Sequence, residues 1–355
     1  MSRLRRILRS NAFYLVILAA LILLPHVIGW ITSDSPFGIG GRPRGQSIFW
    51  QGVMIEVFIL AVLAMSYNLI FGFTGVISFG HALFFGISGY TLGIFLEKTN
   101  LELGIAFGAG IIVGILLAGL LGFIMGLVSL RLKGVYFALF TLAVAEMFFI
   151  YAQRWSFTSA EDGFPVGNIP DWLNPTRERL TFYYVALILL AFTFVFIKRL
   201  IESPTGSVLL AIRENEERAK TIGYHTLRFK LFSISMSAML AASAGILHML
   251  FNKKVGPEMF SLAFTIDPLL MTIIGGLGTL SGPVVGSGVL LLIERPLRDF
   301  SIMLETPLFT GEIDVGQAWS LILGIIFIVV VLLFPQGIVG TWNKWWAKLR
   351  QIKKP

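Results

Sequence analysis

The chain reads as an all-α, polytopic integral membrane protein, on three observations. It is 56% hydrophobic and only 14% charged over 355 residues, where a water-soluble domain usually carries about 25% charged residues. Its mean hydropathy is +0.82. Several apolar runs reach about 20 residues, the length that crosses a hydrocarbon core of about 30 Å. Nowhere does it alternate apolar and polar residues in the roughly ten-residue pattern of a membrane β-barrel.

In chain order, the hydropathy predicts spans near 11–30, 52–71, 79–97, 103–129, 135–151, 181–200, 230–251 and 316–334. A broken apolar segment, 266–293, remains. Its halves flank Gly275 to Pro283 and are too short to cross alone, so they are expected to form a helical pair re-entering from one side. Irregular backbone at that depth needs cover from protein or a water cavity. The expectation is thus about eight spans plus a re-entrant pair, or 8–10 membrane segments.

The first span follows Arg3, Arg5, Arg6 and Arg9 and imitates a secretory signal. No small-residue cleavage site follows, only Pro25 to Trp30, so an uncleaved span is expected. The span 103–129 repeats small residues every four positions (Ala106, Gly110, Gly114, Ala118, Gly122, Gly126), as 230–251 does at Ser233, Ser237, Ala241 and Gly245. Such spacing lets helix backbones approach closely where lipid offers no hydrophobic drive. Static packing is the expected use, ahead of a sliding surface. The span 135–151 carries Glu146, a candidate ionisable residue of the pathway, because charged groups inside spans are costly and usually functional.

Charge sets the orientation. The segments 1–10, 131–133, 198–230 and 335–355 hold 4, 2, 7 and 5 of the chain's 28 Lys and Arg residues. The positive-inside rule places them, and both termini, in the cytoplasm. Segments 31–51, 152–180, 252–265 and 295–315 then face outward. Organisation follows: a basic N-terminus at 1–10, a membrane domain at 11–340 with an inner loop at 201–229, and a basic tail at 341–355, whose Trp342, Trp345 and Trp346 suit an interfacial anchor. The net charge of +8 reflects loops facing anionic lipid rather than a nucleic-acid surface.

The most telling interruption is Lys198 to Lys230, with seven basic and four acidic residues. An ordered, mixed-charge helix between spans suits docking to a soluble engine. A weak internal repeat adds a second feature. Shifting Phe71–Ser78 by 203 residues pairs Gly72 with Gly275, Gly75 with Gly278 and Ser78 with Ser281. Paired breaks in two halves of a transporter point to the solute pathway, so these six residues, with His81 after the first break, are the candidate pathway residues.

Other chemistries find no support. The chain has no cysteine, which excludes disulfides and thiolate chemistry, and its four histidines are too scattered for a metal site. No phosphate-binding Gly-x-x-x-x-Gly-Lys-Ser/Thr is present, so the chain is not expected to hold ATP or any cofactor itself. No catalytic motif marks an enzyme.

Four pieces resemble the branched-chain amino acid ABC importer permeases of the LivM type, in the same order. They are Ser66–Gly86, Asp162-Gly163-Phe164 with Ile169-Pro170, Ser203–Gly223 and Gly275–Pro283. The resemblance implies half of a translocation pathway completed by a LivH-type permease, two cytoplasmic ATPase subunits that bind the ATP, and an extracytoplasmic solute-binding protein. It implies a bacterial cytoplasmic (inner) membrane and an amino-acid cargo, branched-chain or otherwise neutral. The importers' cytoplasmic Glu-Ala-Ala…Gly loop corresponds here to Glu217-Arg218-Ala219 and Gly223, with arginine in place of the middle alanine. Arg213, Glu214, Glu217, Ala219 and Gly223 are therefore the candidate ATPase-coupling residues. The urea-importing branch of the family is an alternative, disfavoured because that branch carries an arginine in the glycine run where this chain has Gly276-Leu277-Gly278. An ion-coupled secondary transporter using Glu146 and His81 is the alternative of another class.

Overall fold

The structure is a computed structural model that describes residues 2–37, 45–132, 134–298, 301–306, 309–314, 319–334 and 336–352. Lys133, Lys353 and Lys354 lie outside the described residues, as do the side chains of residues 1–13, 295–320, 323, 326, 330, 331, 343 and 346–352.

Helix α1 (Ser2–Thr32) lies against α2 and α6. Pro25 interrupts its ladder, because proline has no N–H for the carbonyl four residues back, that of Leu21. The Tyr183 hydroxyl of α6 donates to that carbonyl, and Ser47 donates to the Pro25 carbonyl at 3.0 Å.

Helix α2 (Gln46–Thr74) is the axis of the fold. At 29 residues it is about 43 Å long, and most of its surface is buried. A helix apolar all round is a core helix, and α1, α6, α9, α10 and α11 surround this one. It ends at Gly75 in the left-handed region (φ 78), whose N–H donates to Phe71, while Val76 donates back to Ile70.

The chain then runs through α3 (His81–Lys98), α4 (Leu103–Ser129) and α5 (Val135–Arg154). After two 3₁₀ turns, strand β1 (Phe164–Pro165) leads towards α6 (Arg179–Ile201), α7 (Pro204–Glu214), α8 (Glu216–Thr221) and α9 (Thr226–Asn252). Strand β2 (Lys254–Val255) follows and pairs with β1, so the segments after α5 and after α9 lie on the same side. The short pair of helices α10 (Ala263–Gly275) and α11 (Gly282–Arg298) comes next. Strands β3 (Ser301–Thr306) and β4 (Phe309–Asp314) form an antiparallel hairpin that the sequence did not suggest. Helices α12 (Trp319–Leu333) and α13 (Gly337–Ile352) complete the described chain.

Six described helices are long and apolar enough to cross a membrane: α1, α2, α4, α5, α6 and α9. The expected spans at 79–97 and 316–334 form helices α3 and α12, outside that set. The expected boundaries at 10 and 340 fall inside α1 and α13, both continuous helices there.

The small-residue stripe of α4 is wholly buried between α3 and α9. A β-carbon on Gly114 would touch Ser88 of α3, and one on Gly122 would lie 2.7 Å from Ala238 of α9. The matching stripe of α9 is buried too, and a β-carbon on Gly245 would come within 2.0 Å of the Phe85 carbonyl oxygen. Ser88 adds a hydrogen bond to the Ala242 carbonyl at 2.8 Å.

Helices α10 and α11 pack as an antiparallel pair with almost no gap. A β-carbon on Gly286 would sit 1.8 Å from the Met271 carbonyl, and one on Gly275 1.8 Å from that of Gly282. The pair follows β2 in the chain, and its turn, Gly276–Ser281, reaches the end of α2 where α7 lies.

Candidate functional site

Three chain segments distant in sequence converge at the α7 end of α2. Asn68, 2% exposed, occupies one turn of α2 before Gly72. Its Nδ2 donates to the Thr279 carbonyl at 2.8 Å, and its Oδ1 accepts from the Gly278 N–H at 2.9 Å. A single amide thus satisfies two backbone groups of the α10–α11 turn, groups that would otherwise be costly to bury.

The two glycine runs touch each other. A β-carbon on Gly72 would lie 1.8 Å from Asn68 Oδ1 and 2.8 Å from Gly278 N. One on Gly278 (φ +74) would lie 2.9 Å from the Gly72 carbonyl oxygen. Neither position has room for a side chain, and Gly278 has a backbone conformation suited to glycine.

Arg213, in the last turn of α7, closes the arrangement. Its Nη1 donates to the Gly72 carbonyl oxygen and lies against Gly278, while its Cγ and Cα lie beside Gly75. The start of α13 abuts the same turn, with Gly337 (φ +69) against Gly276. One arginine of the charged loop therefore bonds the first glycine run and touches the second.

Where the sequence suggests a single mixed-charge helix, the loop forms two, α7 and α8, divided at Asn215. Ser203 caps α7, accepting from Gly206 N at 3.3 Å, with Pro204 in the first turn. Asn215 caps α8, accepting from Arg218 N at 2.9 Å. Both follow the preference for short polar side chains at helix starts. Ala219 is buried with Val208 and Ile212. Glu214 and Glu217 are exposed, Glu217 pairing with Lys220 at 3.0 Å. Gly223 turns the chain at φ +101 with open space around it. Around it Ile222, Tyr224 and Leu227 are exposed apolar side chains.

Glu216 ties α8 to α9. It accepts from Thr226 Oγ1 at 3.1 Å, pairs with Lys230, and lies 3.5 Å from Lys220. Burial alone would raise its pKa, but Lys230, Thr226 and Lys220 outweigh that and hold it below the ordinary carboxylate value.

The remaining candidates lie elsewhere. His81 is fully buried, with Nε2 3.0 Å from Ser237 Oγ and its ring edge-on to Tyr67 at 4.7 Å. Ser78 is buried and accepts from Gly80 N at 3.2 Å. Ser281 opens α11, its carbonyl accepting from Val285 N at 3.1 Å. Glu146 is exposed on α5, away from the glycine runs. At the opposite end of α2, a cavity of about 320 Å³ has Glu56, Arg179 and Phe251 in its lining. Among the described residues no three His, Asp or Glu side chains come together as a metal group.

Asn68, Glu216 and Thr279 were not singled out in the sequence. A lone amide in the apolar run before Gly72 was the available signal for Asn68. Nothing local marked Glu216, whose partner Lys230 opens the next long helix.

A multi-pass helical bundle whose hydrophilic loop is fastened to paired glycine breaks defines a membrane transport component. The chain belongs to the branched-chain amino acid transport system / permease component family, whose model matches residues 50–332. It is 27% identical over 307 residues to the high-affinity branched-chain amino acid transport system permease protein LivM of Escherichia coli (strain K12), covering 79% of this chain and 68% of that one. Identity is 24% over 309 residues to the probable LivM permease of Methanocaldococcus jannaschii, covering 78% and 89%. To the LivH permease of Escherichia coli (strain K12) it is 23% over 300 residues, covering 79% and 91%. No solved structure matches the chain.

Proposed function

We propose that the chain is a permease subunit of an ATP-driven importer for branched-chain or other neutral amino acids, and not an enzyme. It forms half of the translocation pathway beside a LivH-type permease, with two cytoplasmic ATPase subunits and an external solute-binding protein. Its membrane is the bacterial cytoplasmic membrane, with both termini and the α7–α8 loop in the cytoplasm, as the charge distribution favours.

The observation that carries this reading is Arg213, which bonds the loop to Gly72 and lies against Gly278. Glu214, Glu217 and Gly223, with the buried Ala219 as support, offer the loop's outer surface to an ATPase. Closure of the ATPases on ATP would push α8. Asn215 and Glu216 pass that displacement to α7 and α9, and Arg213 passes it to the end of α2 and the α10–α11 turn. Gly72, Gly75, Gly275 and Gly278 are the pivots around which the path opens alternately to each side, and Ser78, Ser281 and His81 are its further candidate residues.

A second reading, an ion-coupled transporter, draws on the exposed carboxylate of Glu146. Reconstitution separates the two. Vesicles holding the chain, its co-purifying permease and the ATPases should accumulate leucine only with ATP and binding protein. Accumulation by the chain alone, driven by a proton gradient, would establish the second reading instead.

A further inference from the structure

The outer faces of the membrane helices differ in one respect. On α4 the exposed positions from Ile112 through Leu116, Leu120 and Phe123 to Leu127 are apolar, and on α6 Ile188, Phe192 and Val195 continue the pattern. Such faces suit lipid. On α5 the exposed face runs through Tyr136, Leu139, Ala143, Met147 and Ile150, and carries Glu146 in its middle. The opposite face of α5 is the packed one, with Thr141 accepting from Phe79 N at 2.9 Å and Phe148 against Phe260.

Glu146 is the twelfth residue of the helix Val135–Arg154, about 17 Å along the axis from one end and about 12 Å from the other. Both distances leave it inside a hydrocarbon core of about 30 Å. Its side chain is far too short to reach the interface, unlike a lysine or arginine. Among the described residues it has no ion pair or hydrogen-bond partner. A carboxylate so placed faces protein or a water-filled passage, not lipid.

We propose that the exposed face of α5 borders the solute path built with the partner permease, and that Glu146 receives the ammonium group of a zwitterionic amino acid in transit. The assignment rests on the permease reading and adds a recognition group to it. The apolar neighbours Leu139, Met147 and Ile150 suit an aliphatic side chain, while the carboxylate supplies the one charge complementary to the ammonium.

The chain is free of cysteine, so Glu146→Cys in the assembled importer can be probed with a cationic methanethiosulfonate, with Ile188→Cys as the lipid-facing reference. Glu146→Cys is expected to react at least about tenfold faster, and saturating leucine with the binding protein should slow that reaction. Uptake by Glu146→Gln should fall about tenfold or more, as expected for loss of a charge-assisted contact, with Glu146→Asp retaining most of it. Labelling no faster than Ile188→Cys would overturn the proposal, placing the carboxylate against lipid or a protein surface. Uptake by Glu146→Gln within twofold of the parent would overturn the ammonium contact. Wild-type vesicles in the same assay isolate the cause: if they import leucine, such a failure belongs to Glu146 alone, and if they do not, the permease reading falls with it.

Discussion

Glycine serves opposite ends in two regions of this molecule. Between α3, α4 and α9, small residues every four positions bring whole helix surfaces together, as where Gly122 meets Ala238 and Gly245 meets the Phe85 carbonyl. At the α7 end of α2, Gly75, Gly276, Gly278 and Gly337 have positive φ and sit at helix ends. There Asn68 bonds Gly278 and Thr279, Arg213 bonds Gly72, and Gly276 lies against Gly337. In the proposed mechanism the first region is a wall and the second a joint, because hydrogen bonds between helix ends can be exchanged without unpacking the helices themselves.

That contrast can be broken. The largest effect is expected in the wall. Gly245→Val would drive its side chain into a backbone carbonyl that cannot move aside, and overpacking of this kind costs about 3 kcal/mol or more. The variant should lose its monodisperse peak in detergent and its cooperative melting. An intact, transport-competent Gly245→Val protein would show that the wall yields.

A smaller effect is expected at the joint. Asn68→Ala leaves the Gly278 N–H and the Thr279 carbonyl without their partner, at about 1–3 kcal/mol. Melting should shift by a few degrees while uptake falls much further, and an equal loss of both would make Asn68 a packing residue only. Next comes Gly223→Val. The open space around Gly223 leaves backbone strain at φ +101 as its main cost, of the order of 1–3 kcal/mol. The protein should remain inserted while ATP hydrolysis continues without matching uptake.

The smallest effect is in pH. Glu216 has its folded pKa below the ordinary carboxylate value. The stability it lends is therefore complete above about pH 4.3 and is lost as pH falls through the lowered value. Melting temperatures of wild type and Glu216→Gln should converge on acidification, and a gap constant with pH would remove Glu216 as a charged tie between α8 and α9.

Much of the fold was legible because hydropathy and punctuation are local signals. The spans at 52–71, 103–129 and 181–200 correspond to α2, α4 and α6. The glycines at 275 and 282 mark where α10 stops and α11 starts. The hairpin β3–β4 was not legible, since a short strand pair carries little periodic signal. Nor was the joint. Gly72, Arg213 and Gly278 each drew notice separately, yet no local pattern says that the guanidinium of the exposed Arg213 bonds the Gly72 carbonyl. Contacts between groups so far apart in sequence are set by the packing of α2, α7 and the α10–α11 pair, which one sequence does not reveal.

The most direct test of this account is the amount of ATP hydrolysed per leucine imported by the reconstituted importer carrying Arg213→Ala. The complex should fold, assemble and still hydrolyse ATP but import about tenfold less leucine per ATP, as expected for loss of a charge-assisted hydrogen bond. A ratio unchanged from wild type would contradict it, because the loop would then act on the bundle without the arginine that fastens the two.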